Sequence, residues 1–164
     1  MRGAGLAVAV VAKPDTPLPD VGDDVAIWRE PGTLHHPLVG IAHALRVCDS
    51  PIVVCAGDMP FVPSAVIVLL AGCVGDVTVT ASERALQPLL GMYTPAVLDV
   101  IDTAIAGESS MRAFVAALGD RAQTIGPDRL RAFGDPEMFM RDIDTPHDLQ
   151  RADAMSHHPQ HGTH

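Results

Sequence analysis

The stretch Pro51-Ile52-Val53-Val54-Cys55-Ala56-Gly57-Asp58-Met59-Pro60-Phe61 decides the fold. Its first six residues are apolar on both faces, which suits a strand covered on each side by helices in an α/β sheet. Gly57 ends the run, and Asp58 then presents a carboxylate at the carboxyl end of the strand, where ligands bind in open α/β folds. Gly57 lets a ligand approach the backbone closely, and Pro60 directs the chain so that the carboxylate faces the crevice. A carboxylate so placed suits Mg²⁺ and phosphate chemistry. An Asp after a strand also serves as a turn or cap residue, and both readings stand at this point.

Working outward, strands and helices alternate. Residues 6–12, Leu-Ala-Val-Ala-Val-Val-Ala, form a second run apolar on both faces, closed by Lys13-Pro14-Asp15. Residues 25–28 read as a short strand, and Leu38, Ile41, Ala42 and Leu45 fall at helical spacing behind Pro37. After the strand over 52–56, Pro63 opens a helix over 63–70, and Val77-Thr78-Val79-Thr80 is β-branched and strand-forming. Residues 88–93 continue as a strand, and Pro95 opens a helix ended by Gly107. Ser110 caps another helix, which carries Met111, Phe114, Val115 and Leu118 on one face, and residues 122–125 form a last short strand. Residues 138–144 are expected to be extended, leading into Thr145-Pro146-His147-Asp148, where Thr145 caps a final helix to about residue 155. The His-rich end, residues 156–164, is expected to be disordered.

Composition narrows the function. The 11 basic and 20 acidic residues give a net charge of −9, against the basic face that nucleic acid requires. An anionic ligand therefore needs local help, from metal ions, helix starts or cations such as Lys13 and Arg112. The three cysteines, Cys48, Cys55 and Cys73, have no metal-binding spacing and read as buried reduced thiols. No segment has the ~20 apolar residues of a membrane span, and residues 6–12 run directly into Lys13 as a strand rather than a signal peptide. A soluble, cytoplasmic domain over residues 1–155 is expected.

Three further sites qualify as candidates. Asp142-Ile143-Asp144 places two carboxylates on one face of an extended segment, suited to a cation or, equally, to the following helix cap. His35-His36 cannot both point at one metal from an extended backbone, although His36 or the helix start behind it can meet a phosphate. Lys13 and Glu30 are a lone cation and a lone acid at two strand ends, and they gain weight if they converge on one rim. No Gly-rich phosphate loop precedes the first strand.

The order of these motifs resembles the molybdenum cofactor guanylyltransferase family and related Rossmann-like nucleotidyltransferases, over about residues 6–154. The resemblance is carried by Val10-Val11-Ala12-Lys13, His36-Pro37-Leu38-Val39-Gly40-Ile41 and Gly57-Asp58-Met59-Pro60-Phe61, then by Gln87-Pro88-Leu89-Leu90-Gly91-Met92-Tyr93 and Asp142-Ile143-Asp144-Thr145-Pro146-His147-Asp148-Leu149. It implies a three-layer, mainly parallel α/β domain that transfers GMP from GTP to molybdopterin and releases pyrophosphate. Asp58 would be the catalytic Mg²⁺ ligand, Asp144 a second metal ligand, and Lys13 and Glu30 would contact the nucleotide with Asp58. CTP in place of GTP, another small phosphorylated acceptor, and a noncatalytic protein that binds molybdopterin or a molybdoenzyme are the alternatives. The family's opening strand and its Gly-Gly-x-Ser-x-Arg-Met-Gly loop have no counterpart, which implies an N-terminally truncated domain with a gap in mid-sheet and a tendency to homo-oligomerise by edge pairing. His36 also replaces the family's Gly.

Overall fold

A computed structural model describes residues 5–32 and 34–141. Six strands and six helices alternate through it: β1 (Val8–Ala12), β2 (Val25–Arg29), α1 (Pro37–Cys48), β3 (Ile52–Cys55), α2 (Ser64–Ala71), β4 (Val77–Ala81), β5 (Leu86–Tyr93), α3 (Leu98–Ala106), α4 (Met111–Ala117), β6 (Ala122–Ile125), α5 (Pro127–Leu130) and α6 (Pro136–Phe139). The strands form two sheets. β1 pairs with β2 alone, and the other four take the order β3-β5-β4-β6.

The four-stranded sheet lies between two helical layers, giving the three layers expected. On one face Leu38, Ile41 and Leu45 of α1, Ile101 of α3 and Phe114 of α4 pack on Val77, Val79 and Tyr93. On the other, Val66, Ile67 and Leu70 of α2, with Leu130, Phe139 and Met140, pack on Leu90 and Met92. Tyr93 and Met92 point to opposite layers because successive strand residues alternate faces.

Strand pairing is mixed. β1–β2 and β4–β6 are parallel, while β5 is antiparallel to both β3 and β4. The short connection over residues 82–85, closed by Ser82 N–H donating to Ala85 O at 2.9 Å, explains the reversal, since a tight turn can join only antiparallel neighbours. The register shifts between Val79 and Thr80 against β5, where Pro88 interrupts the strand. Side chains take up carbonyls there: Tyr93 Oη donates to Pro88 O at 2.6 Å, and Thr80 Oγ1 to Leu90 O at 3.0 Å. Gly91 permits the close approach of β4, because a Cβ at this position would lie 2.7 Å from Thr78 O.

Two expectations need correction. Residues 6–12 and 51–56 read as strands covered on both faces, yet Val8 to Val11 and all of β3 are only half-buried. Each is an edge strand in its own sheet, and among the described residues no ladder joins β1 to β3, although α1 packs against both. Open on one side, these edge strands are covered less than strands inside a sheet, which explains the exposure. Residues 138–140 are not extended: Pro136–Phe139 is a helical turn, started by Asp135, whose Oδ1 accepts from Glu137 N–H at 3.0 Å, and by Pro136 at the first helical position. Asp142, Asp144, the helix after Thr145 and the His-rich end lie outside the described residues. The cysteines are free, and half-buried rather than fully buried. Among the described residues, no helix is long and apolar enough to cross a membrane.

Candidate functional site

The parallel register of β1 and β2 brings Lys13 and Glu30 together. Ala12 pairs with Arg29 at the ends of the two strands, and Glu30 N–H extends the ladder by donating to Ala12 O at 3.0 Å. The next residue on each strand, Lys13 and Glu30, thus emerges at the same rim. Lys13 Nζ lies 2.9 Å from Glu30 Oε1 and also donates to Leu34 O in the loop before α1. Arg29 ties the same corner from outside, donating to Lys13 O at 2.7 Å and Thr16 O at 2.8 Å.

This pair leaves binding capacity unused. The Glu30 side chain is 10% exposed, and its Oε2 is buried with no hydrogen-bond partner. A buried carboxylate oxygen without a donor is costly, and a ligand N–H or O–H would relieve it. Lys13 has three donors, of which Glu30 and Leu34 account for two, so one remains for a phosphate or hydroxyl oxygen.

Asp58 stands on the turn that leaves β3. Ala56 N–H still pairs with β5, donating to Leu89 O at 2.8 Å, and Met59 N–H then closes the turn onto Ala56 O at 3.3 Å. Met59 is buried beneath the turn while Asp58 is exposed. Asp58 is thus a turn residue, but not a cap: among the described residues its carboxylate accepts no hydrogen bond, and α2 begins behind Pro63 with no side-chain cap. Gly57 has open space around it, which leaves the backbone beside Asp58 accessible. Burial pushes the Cys55 thiol up in pKa, and the negative Asp58 adds to the shift, which disfavours a reactive thiolate there.

α1 connects β2 to β3 and packs against β1 and β3, and Asp58 follows β3 as Lys13 and Glu30 follow β1 and β2. No hydrogen bond or ion pair links Asp58 to either residue. Among the described residues no group of three or more His, Cys, Asp or Glu could cage a metal. One free, exposed carboxylate nevertheless fits Mg²⁺, which is commonly held by one or two carboxylates plus substrate phosphates and water.

His36 has a different task from the phosphate contact considered above. Its Nδ1 accepts from Leu38 N–H at 3.1 Å as the cap of α1, and its Nε2 lies 2.9 Å from Ser109 O. Both ring nitrogens are engaged in holding α1 to the loop before α4. The adjacent Pro37 helix start was the signal that could have revealed the cap. Arg112 is exposed on the first turn of α4 and forms no ion pair among the described residues.

A buried carboxylate beside an ammonium with one spare donor, and an exposed carboxylate at a strand end, fit a nucleotidyltransferase, the class that the family match assigns. The chain belongs to the family described as MobA-like NTP transferase domain, which matches residues 1–122. Among solved structures it is similar to molybdopterin-guanine dinucleotide biosynthesis protein A from Archaeoglobus fulgidus, at 28% identity and a TM-score of 0.64 over 80% of this chain and 68% of that one. A protein of Aquifex aeolicus VF5 shares the fold, at 20% identity and a TM-score of 0.60 over 74% of this chain and 63% of that one. No curated protein matches the chain.

Proposed function

We propose that this protein transfers GMP from GTP to the terminal phosphate of molybdopterin, releasing pyrophosphate. The observation that supports the reading is the unpartnered Oε2 of Glu30 beside the spare donor of Lys13 at the ends of β1 and β2, and Asp58 on the turn that leaves β3 is the carboxylate proposed to join them. The Archaeoglobus structure, named for molybdopterin-guanine dinucleotide biosynthesis, supports the choice of acceptor and nucleotide.

In this reaction an oxygen of the acceptor phosphate attacks the α-phosphorus of GTP as the bond to the bridging oxygen breaks, so pyrophosphate carries away the electron pair. Asp58 would hold Mg²⁺, which when bound neutralises charge on the phosphate oxygens. Glu30 accepts a hydrogen bond from an N–H or O–H of the nucleoside, and Lys13 donates to a phosphate or ribose oxygen. Their mutual ion pair fixes both groups before the ligand arrives, which reduces the entropy lost on binding. No covalent enzyme intermediate is required.

The test is pyrophosphate release with GTP, Mg²⁺ and molybdopterin, run beside the same mixture with CTP. Release that needs GTP and the acceptor is expected. Release with CTP alone would reassign the nucleotide, and silence with both would remove the transferase reading in favour of a binding protein.

A further inference from the structure

Gly40 lies within α1, in its first turn and a half, although glycine is the poorest helix former after proline. Helix formation therefore gives no reason for it, and its surroundings do. A Cβ built on Gly40 would lie 3.1 Å from Glu30 Oε2, 3.5 Å from Val11 Cγ1 and 3.9 Å from Glu30 Cδ. A methyl group at position 40 would press on the buried, unpartnered oxygen of Glu30, which would have to give by a few tenths of an ångström. Glu30 has little room to retreat, because its side chain is 10% exposed and its Oε1 is bound to Lys13 at 2.9 Å.

We propose that Gly40 is a positioning residue for the nucleotide site: the space left by its missing side chain fixes the Glu30 carboxylate, and through it the Lys13 ammonium. The contact is steric and acts in sequence. A methyl group at position 40 displaces Glu30, Glu30 loosens its hold on Lys13, and the two groups no longer present one acceptor and one donor to the same ligand. The functional meaning of this chain of contacts rests on the nucleotide reading above, but the contacts themselves do not.

Lys13 is the only lysine in the sequence, so its ammonium can be followed alone. The experiment compares the rate at which Lys13 is acylated, read by peptide mass spectrometry, in the wild type, Gly40→Ala, Glu30→Ala and the double variant, with no nucleotide present. Gly40→Ala is expected to raise the rate about tenfold, within the range of couplings found for contacting residues. In the Glu30→Ala background the same change should have no further effect, since the carboxylate it acts through is gone. A rate in Gly40→Ala within about twofold of wild type, or additive effects in the double variant, would overturn the proposal. If Gly40→Ala does not fold, Gly40→Ala with Glu30→Asp decides, because the shorter acid withdraws from position 40; failure of that pair to fold would also overturn it. The parallel measurement, the Kd for Mg²⁺–GTP, should weaken about tenfold in Gly40→Ala. Absence of GTP binding by the wild type would count against the nucleotide reading alone, since the acylation result needs no ligand.

Discussion

The four-stranded sheet and the β1–β2 pair are built from similar apolar runs but lead different lives. In the larger sheet Val77, Val79, Leu90 and Tyr93 are completely buried, and the carbonyls of its bulge are taken by Thr80 and Tyr93. In the smaller one Ile27 is 46% exposed, Val8 to Val11 are half-buried, and the most buried acid has an oxygen without a partner. The first region uses its interactions to hold the fold. The larger sheet also leaves the hydroxyls of Thr78 and Thr94 unpartnered, but among the described residues only beside the second is the unpartnered group a carboxylate oxygen next to an ammonium, as suits a site that must still gain a ligand. Substitutions in the first should therefore act on stability, and substitutions at the second's rim on binding.

The largest effect is expected at Phe114, fully buried against Val77, Val79 and Tyr93. Phe114→Ala should cost about 3–5 kcal/mol in urea unfolding, whereas Ile27→Ala should cost under about 1 kcal/mol; equal costs would break the contrast. Next is Gly91→Ala, whose new methyl meets Thr78 O at 2.7 Å and Pro88 O at 3.3 Å. Backbone cannot give way as a side chain can, so a loss of about 1–3 kcal/mol is expected by thermal unfolding.

Tyr93→Phe leaves Pro88 O without its buried donor and should cost about 1–2 kcal/mol at neutral pH. Burial pushes the Tyr93 phenol well above its ordinary pKa. The folded state therefore keeps a proton that the unfolded chain loses above about pH 10. This group's contribution to stability is complete below that pH and falls as pH rises above it. The gap between wild type and Tyr93→Phe should narrow in alkali, and a gap that widens would refute the assignment. The sequence contains one tyrosine, so phenolate absorbance reports this group alone. The smallest effect belongs to the exposed pair of Arg46 and Asp102, where Arg46→Ala should cost no more than about 1 kcal/mol and less at high salt.

Most elements were legible because their signals are local. Apolar runs, β-branched residues, Ser110 and the prolines at positions 37 and 95 need no distant partner to be read. The turns at Pro127 and Pro136 were missed because each is four residues long, too short to show a periodic face. At the site, Asp58 was legible from one strand and the glycine after it. The pairing of Lys13 with Glu30 depends on the register of β1 against β2, across a long loop, and the sequence marked only two isolated charges. The place of Gly40 was hidden for the same reason, since its neighbour Glu30 is close in space and not along the chain. Half-burial of β1 and β3 was also invisible locally, because an apolar run looks the same whether or not a strand lies beside it.

A metal–nucleotide site organised around Asp58 is what the proposed reaction requires. Calorimetric titration of wild type and Asp58→Asn with GTP, with and without Mg²⁺, tests it most directly. Mg²⁺-dependent binding by the wild type is expected to disappear in Asp58→Asn while the melting temperature of the free protein stays the same, since among the described residues the exposed carboxylate forms no hydrogen bond or ion pair. Equal Mg²⁺-dependent binding by both proteins would contradict it.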